Sequence, residues 1–196
     1  MVCENCFGLI SISIACFIIC ILLYRGYQQE RNQFTLYMVL FFLIAGAGWL
    51  FWFLSTDLVL NIYEDVKNFL IFVGLIPQLI LLIFVLTFYE ISLLVRVSIL
   101  MVTIILSIIH LIFPTLRILT IVSTVIIILN IILFIINWRK NQDLKSLLFS
   151  IGLALILLGE ALISVSRLLQ GIFLTLTAVI WIVTYSGIIE KLTKRE

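Results

Sequence analysis

FGLISISIACFIICILLY, residues 7–24, runs for eighteen positions without a charge before Arg25 closes it. One crossing of a bilayer's hydrocarbon core takes roughly 20 mainly apolar residues, so this tract is long enough to span as a single helix. The same unit recurs along the chain. Reading from charge patch to charge patch gives six more tracts, at about 34–54, 68–88, 92–113, 116–138, 146–168 and 170–189. The fourth has the shortest uncharged run, 17 residues between Arg96 and Pro114. Proline ends that helix and FPT (113–115) leaves a tight hairpin, because the ring cannot continue an α-helix.

Composition agrees with this reading. Hydrophobic residues make up 64% of the 196 positions and charged residues 11%, whereas a soluble domain is about half apolar and about a quarter charged. The charges also cluster between the apolar tracts instead of alternating with apolar positions, as they would on amphipathic surface helices. The expected fold is all-α: a polytopic seven-transmembrane-helix bundle, one integral membrane domain over residues 1–196, with the lipid bilayer as its surroundings.

Lys and Arg set the expected orientation. Arg25, Arg31, Arg96, Arg139, Lys140, Lys145, Lys191, Lys194 and Arg195 fall on one side, nine in all, against three on the other, Lys67, Arg117 and Arg167. This bias places the N-terminus outside and the C-terminus in the cytoplasm of a cell-membrane, multi-pass protein. Glu4 and the lack of a positive n-region favour a first helix that stays as an anchor over a cleaved signal peptide. The net charge of +2 is too small, and too scattered, for a nucleic-acid partner. The longest loop, TDLVLNIYEDVK (56–67), is external and acidic. It reads as a solvated connector, or as a short interfacial helix anchored by Tyr63.

Several motifs have ordinary readings. CENC (3–6) lies at the external mouth of helix one, where oxidising conditions favour a disulfide, while Cys16 and Cys20 lie one turn apart within the helix. With no second ligand pair and no Trp-flanked redox context, neither pair points to a metal or a redox centre. His110 is the one histidine, which excludes a bis-His haem. All five lysines lie at helix ends or in loops, which excludes a retinal Schiff base at mid-membrane depth. No cofactor is expected. Gly46 and Gly48, and Gly152 and Gly159, allow close helix approach. Trp49, Trp52 and Trp138 read as interfacial belt residues, and Trp181 as a residue packed inside the bundle.

In-span polar residues carry more information. In GEALISVSR (159–167), Glu160 and Arg167 stand two turns apart with Ser164 between them. If helix six reaches residue 168, Glu160 lies roughly 13 Å from its outer end at 1.5 Å per residue. A charged carboxylate at that depth costs about 3 kcal/mol on insertion scales, so it is expected to face the bundle interior. Arg167 is close enough to the interface to extend its guanidinium into water. The other in-span polar groups, Gln78, Ser107, His110, Thr120, Ser123 and Thr124 among them, concentrate in the expected outer half, and Asn130 and Ser150 are the notable inner ones. Serine and threonine hydroxyls also bond their own helix backbone, which accounts for many such positions without a site. Pro77 and Gln78 in GLIPQLIL are expected to break and kink helix three near its middle, making Pro77 a candidate hinge.

Arg31 before helix two, WLFWF (49–53) at its end, Pro77 in helix three and FYE (88–90) at its inner end together resemble the N-terminal seven-helix membrane sensor region of histidine kinases and cyclases. That resemblance implies a sensory module whose seventh helix feeds a cytoplasmic signalling domain. Here the sequence after helix seven is IEKLTKRE (189–196), so output is expected through a separate cytoplasmic effector docked on it. The Pro77-Gln78 pair is also similar to that of the PQ-loop transporters, although those carry the pair in two repeat-related helices and this chain has one copy.

No Gly-rich phosphate loop, paired nucleophile and base, or metal cluster is evident, so the chain is not expected to be an enzyme. The leading expectation is a receptor-like or sensory module binding a small or lipidic ligand in the outer half of the bundle. Glu160, Gln78, His110, Ser164 and Arg167 are its candidate ligand-binding residues. The alternatives are a small-solute or proton-coupled transporter, which needs a continuous polar route, and an accessory subunit of a membrane complex, in which Glu160 pairs with a charge on a partner subunit.

Overall fold

The computed structural model describes residues 4–56, 60, 62–113 and 118–187, without the side chains of residues 64, 65, 67, 68, 111 and 112. Cys3, Asp57, Pro114 with its FPT hairpin, Arg117 and the IEKLTKRE tail lie outside the described residues. Within them are seven α-helices and no strand: α1 (Cys6–Glu30), α2 (Gln33–Ser55), α3 (Tyr63–Phe88), α4 (Leu93–Ile112), α5 (Ile118–Asn141), α6 (Leu144–Leu162) and α7 (Arg167–Tyr185). Each contains a stretch long and apolar enough to cross a membrane.

The α1–α2, α3–α4, α5–α6 and α6–α7 turns are short, and side-chain pairs fix the registers of the helices they join. Ser13 donates to the Gly46 carbonyl across α1 and α2 at 2.9 Å. Trp181 donates to the Phe149 carbonyl across α7 and α6 at 3.3 Å. At one end of the bundle the turns use left-handed residues, Arg31 (φ 49°), Glu90 (φ 56°) and Gln142 (φ 54°). Two of these turns then start the next helix with a side-chain cap: Asn32 accepts from Phe34 N, and Asp143 from Lys145 N. Neighbouring helices close a ring in the order α1, α2, α3, α5, α6, α7, with α4 outside it against α3 and α5.

Lipid is as apolar as leucine, so close van der Waals contact, rather than water exclusion, holds such helices together. Glycine makes that contact available. A Cβ on Gly8 would lie 2.5 Å from the Gly171 carbonyl oxygen, so α1 and α7 touch backbone to backbone. A Cβ on Gly46 would lie 3.1 Å from Cys16 Cβ, one on Gly48 would lie 3.3 Å from Val73, and one on Gly152 would collide with the Trp181 indole. The half of the ring nearer the α5–α6 turn is filled by aromatic rings. Phe149 stacks on Trp181 at 5.3 Å, Phe42 meets Trp181 edge-on at 5.3 Å, and Phe134 tilts against Phe149 at 4.6 Å.

Three helix limits differ from the sequence reading. Helix α1 continues through Arg25 to Glu30. Helix α3 begins at Tyr63, inside the expected loop, and runs unbroken through Pro77, so the expected break is absent. Helix α6 ends at Leu162, not near 168, because Ser166 takes an extended conformation (φ −158°) and caps α7 by accepting from Leu169 N. No glycine or proline marks that turn, so the apolar run reads straight through it.

Candidate functional site

The end of α6 brings Glu160 nearer the end of the bundle. It lies two residues before the helix terminus, about 3 Å along the axis instead of roughly 13 Å. Its side chain faces the helix ring: Glu160, Ala161 and Ile163 line a cavity of about 420 Å³ between α2, α3, α5, α6 and α7.

Helix α3 supplies the opposite wall. Val73, Gly74, Pro77 and Gln78 all line the cavity. Pro77 has no N–H to offer the Val73 carbonyl, and at the next residue the Gln78 carbonyl takes an extra bond from Asn130 Nδ2 at 3.1 Å. The Gln78 side chain is fixed by Ser123 Oγ, which donates to its Oε1 at 3.0 Å. Thr120 and Thr124 of α5 complete a polar wall beside Ser123. Helix α2 contributes Trp49 and Trp52, whose rings stack at 5.4 Å, and Tyr63 of α3 stacks on Trp52 at 6.4 Å. All three line the cavity. The tryptophans read as belt residues, and Tyr63 read as a loop anchor, therefore form one aromatic side of it.

Glu160 is held from behind. Gln170 Nε2 donates to its Oε1 at 2.9 Å, and Asn5 Nδ2 donates to Gln170 Oε1 at 2.7 Å. This relay ties α1, α7 and α6 together at one end of the bundle. Gln170 has no exposed surface, and an amide there without partners would be costly in lipid. Neither Gln170 nor Asn5 stood out in the sequence. Gln170 sits where helix seven was expected to begin, so it resembled an interfacial residue, and Asn5 was hidden inside CENC.

The expected site residues thus divide. Glu160, Gln78 and Pro77 come together around the cavity. Ser164 and Arg167 do not share a helical face with Glu160: Ser164 lies in the α6–α7 turn, Arg167 is the first residue of α7, and both are exposed. His110 is in α4, outside the ring, buried with neither ring nitrogen hydrogen-bonded among the described residues. It lines no part of the cavity. Thr103, Ser107 and His110 recur along the buried face of α4, and both hydroxyls bond carbonyls of their own helix, at 2.8 Å each. Most in-span hydroxyls do the same, Ser11, Thr124 and Thr175 among them. Ser13 and Ser123 instead reach a neighbouring helix, and Thr177 reaches the Gly152 carbonyl of α6 as well as the Phe173 carbonyl of its own helix. Among the described residues no group of His, Cys, Asp and Glu is placed to hold a metal ion.

Among the described residues the site is therefore an apolar chamber with one carboxylate, one oriented amide, a hydroxyl wall and an aromatic wall. Below it the ring is occupied by the Phe42, Phe149 and Trp181 cluster. Comparison with protein-family models, with curated proteins and with solved structures finds no match to this chain.

Proposed function

We propose that this chain is a multi-pass membrane receptor or sensor module that binds a small or lipidic ligand in the chamber lined by Glu160 and Gln78. The carrying observation is the chamber itself: about 420 Å³, within the roughly 300–1,000 Å³ range of small-molecule sites, mostly apolar with a few oriented polar groups. In this reading the N-terminus is outside and the C-terminus cytoplasmic, as the nine-to-three Lys and Arg bias favours. The chamber then lies in the outer half, where the starts of α3, α5 and α7 meet the ends of α2 and α6. Occupancy is read at the cytoplasmic side by a partner or effector. Helix α3 is the natural connection, since it lines the chamber at Pro77 and carries Tyr89 just past its other end, where the phenol donates to the Leu133 carbonyl at 3.2 Å.

The aromatic filling of the inner half favours a receptor over a carrier. A transporter needs a polar route through both halves, and Phe42, Phe134, Phe149 and Trp181 occupy the place where that route would run. The inward-facing Glu160 likewise favours a ligand site over a surface for a partner subunit.

Native mass spectrometry of the protein in mild detergent, beside Glu160→Gln, tests this reading. A small molecule bound to wild type and lost from the variant is expected. A stoichiometric protein partner with no small molecule, or equal retention by both forms, would overturn it.

A further inference from the structure

We infer that the occupant of the chamber is an amine, a monocation carried on an apolar body. This rests on the ligand-binding reading above and names the ligand's class.

Among the described residues, Glu160 is the one acidic residue lining the chamber, and none of the Lys, Arg or His residues described lines it. The only partner the described residues offer the carboxyl is the neutral Gln170 amide on Oε1; Oε2 accepts no hydrogen bond from them. A carboxylate between apolar helices is costly unless a positive charge or several donors answer it. Here the protein orients the group without compensating its charge. An ammonium supplies both the charge and the missing donors.

The aromatic side suits the same ligand. Trp49, Trp52 and Tyr63 line the chamber as a column of stacked rings, a broad apolar surface for the ligand's hydrocarbon body. The remaining lining is mainly aliphatic, which fits a hydrocarbon body and gives little to a second charge. An anionic ligand would meet Glu160 with no cation among the described lining residues to balance it. A neutral alcohol would leave the carboxylate uncompensated.

Three probes with one body and different charge test the class: hexylamine, hexan-1-ol and hexanoate. Each is titrated by calorimetry into the protein in phosphatidylcholine nanodiscs, with empty nanodiscs subtracted. Hexylamine is expected to bind at least roughly tenfold more tightly than the other two, because it alone answers the Glu160 charge, a factor of ten being about 1.4 kcal/mol. In Glu160→Gln the amine should fall to the level of the alcohol, with the alcohol unchanged. The wild-type ranking stands even if that variant fails to fold, and Trp52→Leu, which removes apolar ring surface and no charge, should weaken the amine and the alcohol alike. Hexanol or hexanoate binding as well as the amine overturns the amine class and leaves the ligand-binding reading in place. An amine preference that survives Glu160→Gln in a folded variant also overturns the inference. Binding of none of the three overturns the inference, and a negative mass-spectrometric result beside it removes the ligand-binding reading as well.

Discussion

Gly8→Ala is the sharpest probe of how the site is held. The added methyl would sit 2.5 Å from the Gly171 carbonyl oxygen and 2.6 Å from its Cα. Ordinary contact begins near 3.4 Å, and both obstructing atoms are backbone, so α1 has to retreat from α7 by about 1 Å. Two costs follow. Overpacking of this kind destabilises by about 1–3 kcal/mol. The same retreat stretches the 2.7 Å bond from Asn5 to Gln170 past hydrogen-bonding range, and loss of an interhelical bond in a membrane protein adds about 0.6–1.7 kcal/mol. The total is about 1.6–4.7 kcal/mol, read as the shift in reversible denaturation in mixed micelles. Gly26, in the same helix, has nothing within 4 Å of its would-be Cβ. Gly26→Ala should therefore stabilise by about 0.5–1 kcal/mol, the ordinary helix-propensity gain. Opposite signs for two identical substitutions in one helix are the expected signature. A Gly8→Ala change within about 0.5 kcal/mol of wild type would refute the close crossing, because surface-like substitutions behave that way. A cycle with Asn5→Ala checks the second cost: if the relay is lost through the crossing, the two substitutions combine to less than their sum.

Gly152→Ala should destabilise by about 1–3 kcal/mol and shift tryptophan emission, because its methyl collides with the Trp181 indole and displaces Nε1 from the Phe149 carbonyl. His110→Leu should hold or raise stability, by about 1 kcal/mol, since it removes two buried nitrogens that have no partner among the described residues; a loss of more than about 1 kcal/mol would mean that the imidazole has a partner when the protein sits in its membrane. Gln170→Leu should weaken occupancy of the chamber and also destabilise by about 1–3 kcal/mol, because it removes the acceptor of the Asn5 Nδ2 bond and unties the Glu160 carboxyl. Gln78→Leu should affect occupancy more than stability, since it breaks one bond, from Ser123, whose hydroxyl can turn to its own helix backbone.

The seven spans were legible in the sequence because insertion into lipid is a local property. Every backbone group must be satisfied within the segment, so an uninterrupted apolar run of sufficient length specifies a helix without reference to its neighbours. Close packing at Gly46, Gly48, Gly152 and Gly159 was legible too, as was the burial of Trp181, for small residues and deep rings have few other uses in a span. Helix ends were less so. Ser166 stops α6 by capping α7, a role that depends on the chain's turning there and leaves no glycine or proline as a sign. That one turn decided that Ser164 and Arg167 would leave the face of Glu160. Which polar groups meet was decided by the tertiary structure alone. Asn5 and Gln170 are 165 residues apart, and Trp49, Trp52 and Tyr63 look interfacial one by one. In lipid the partner of a helix is chosen by the fit of two surfaces, and that fit is a property of the pair, written in neither helix separately.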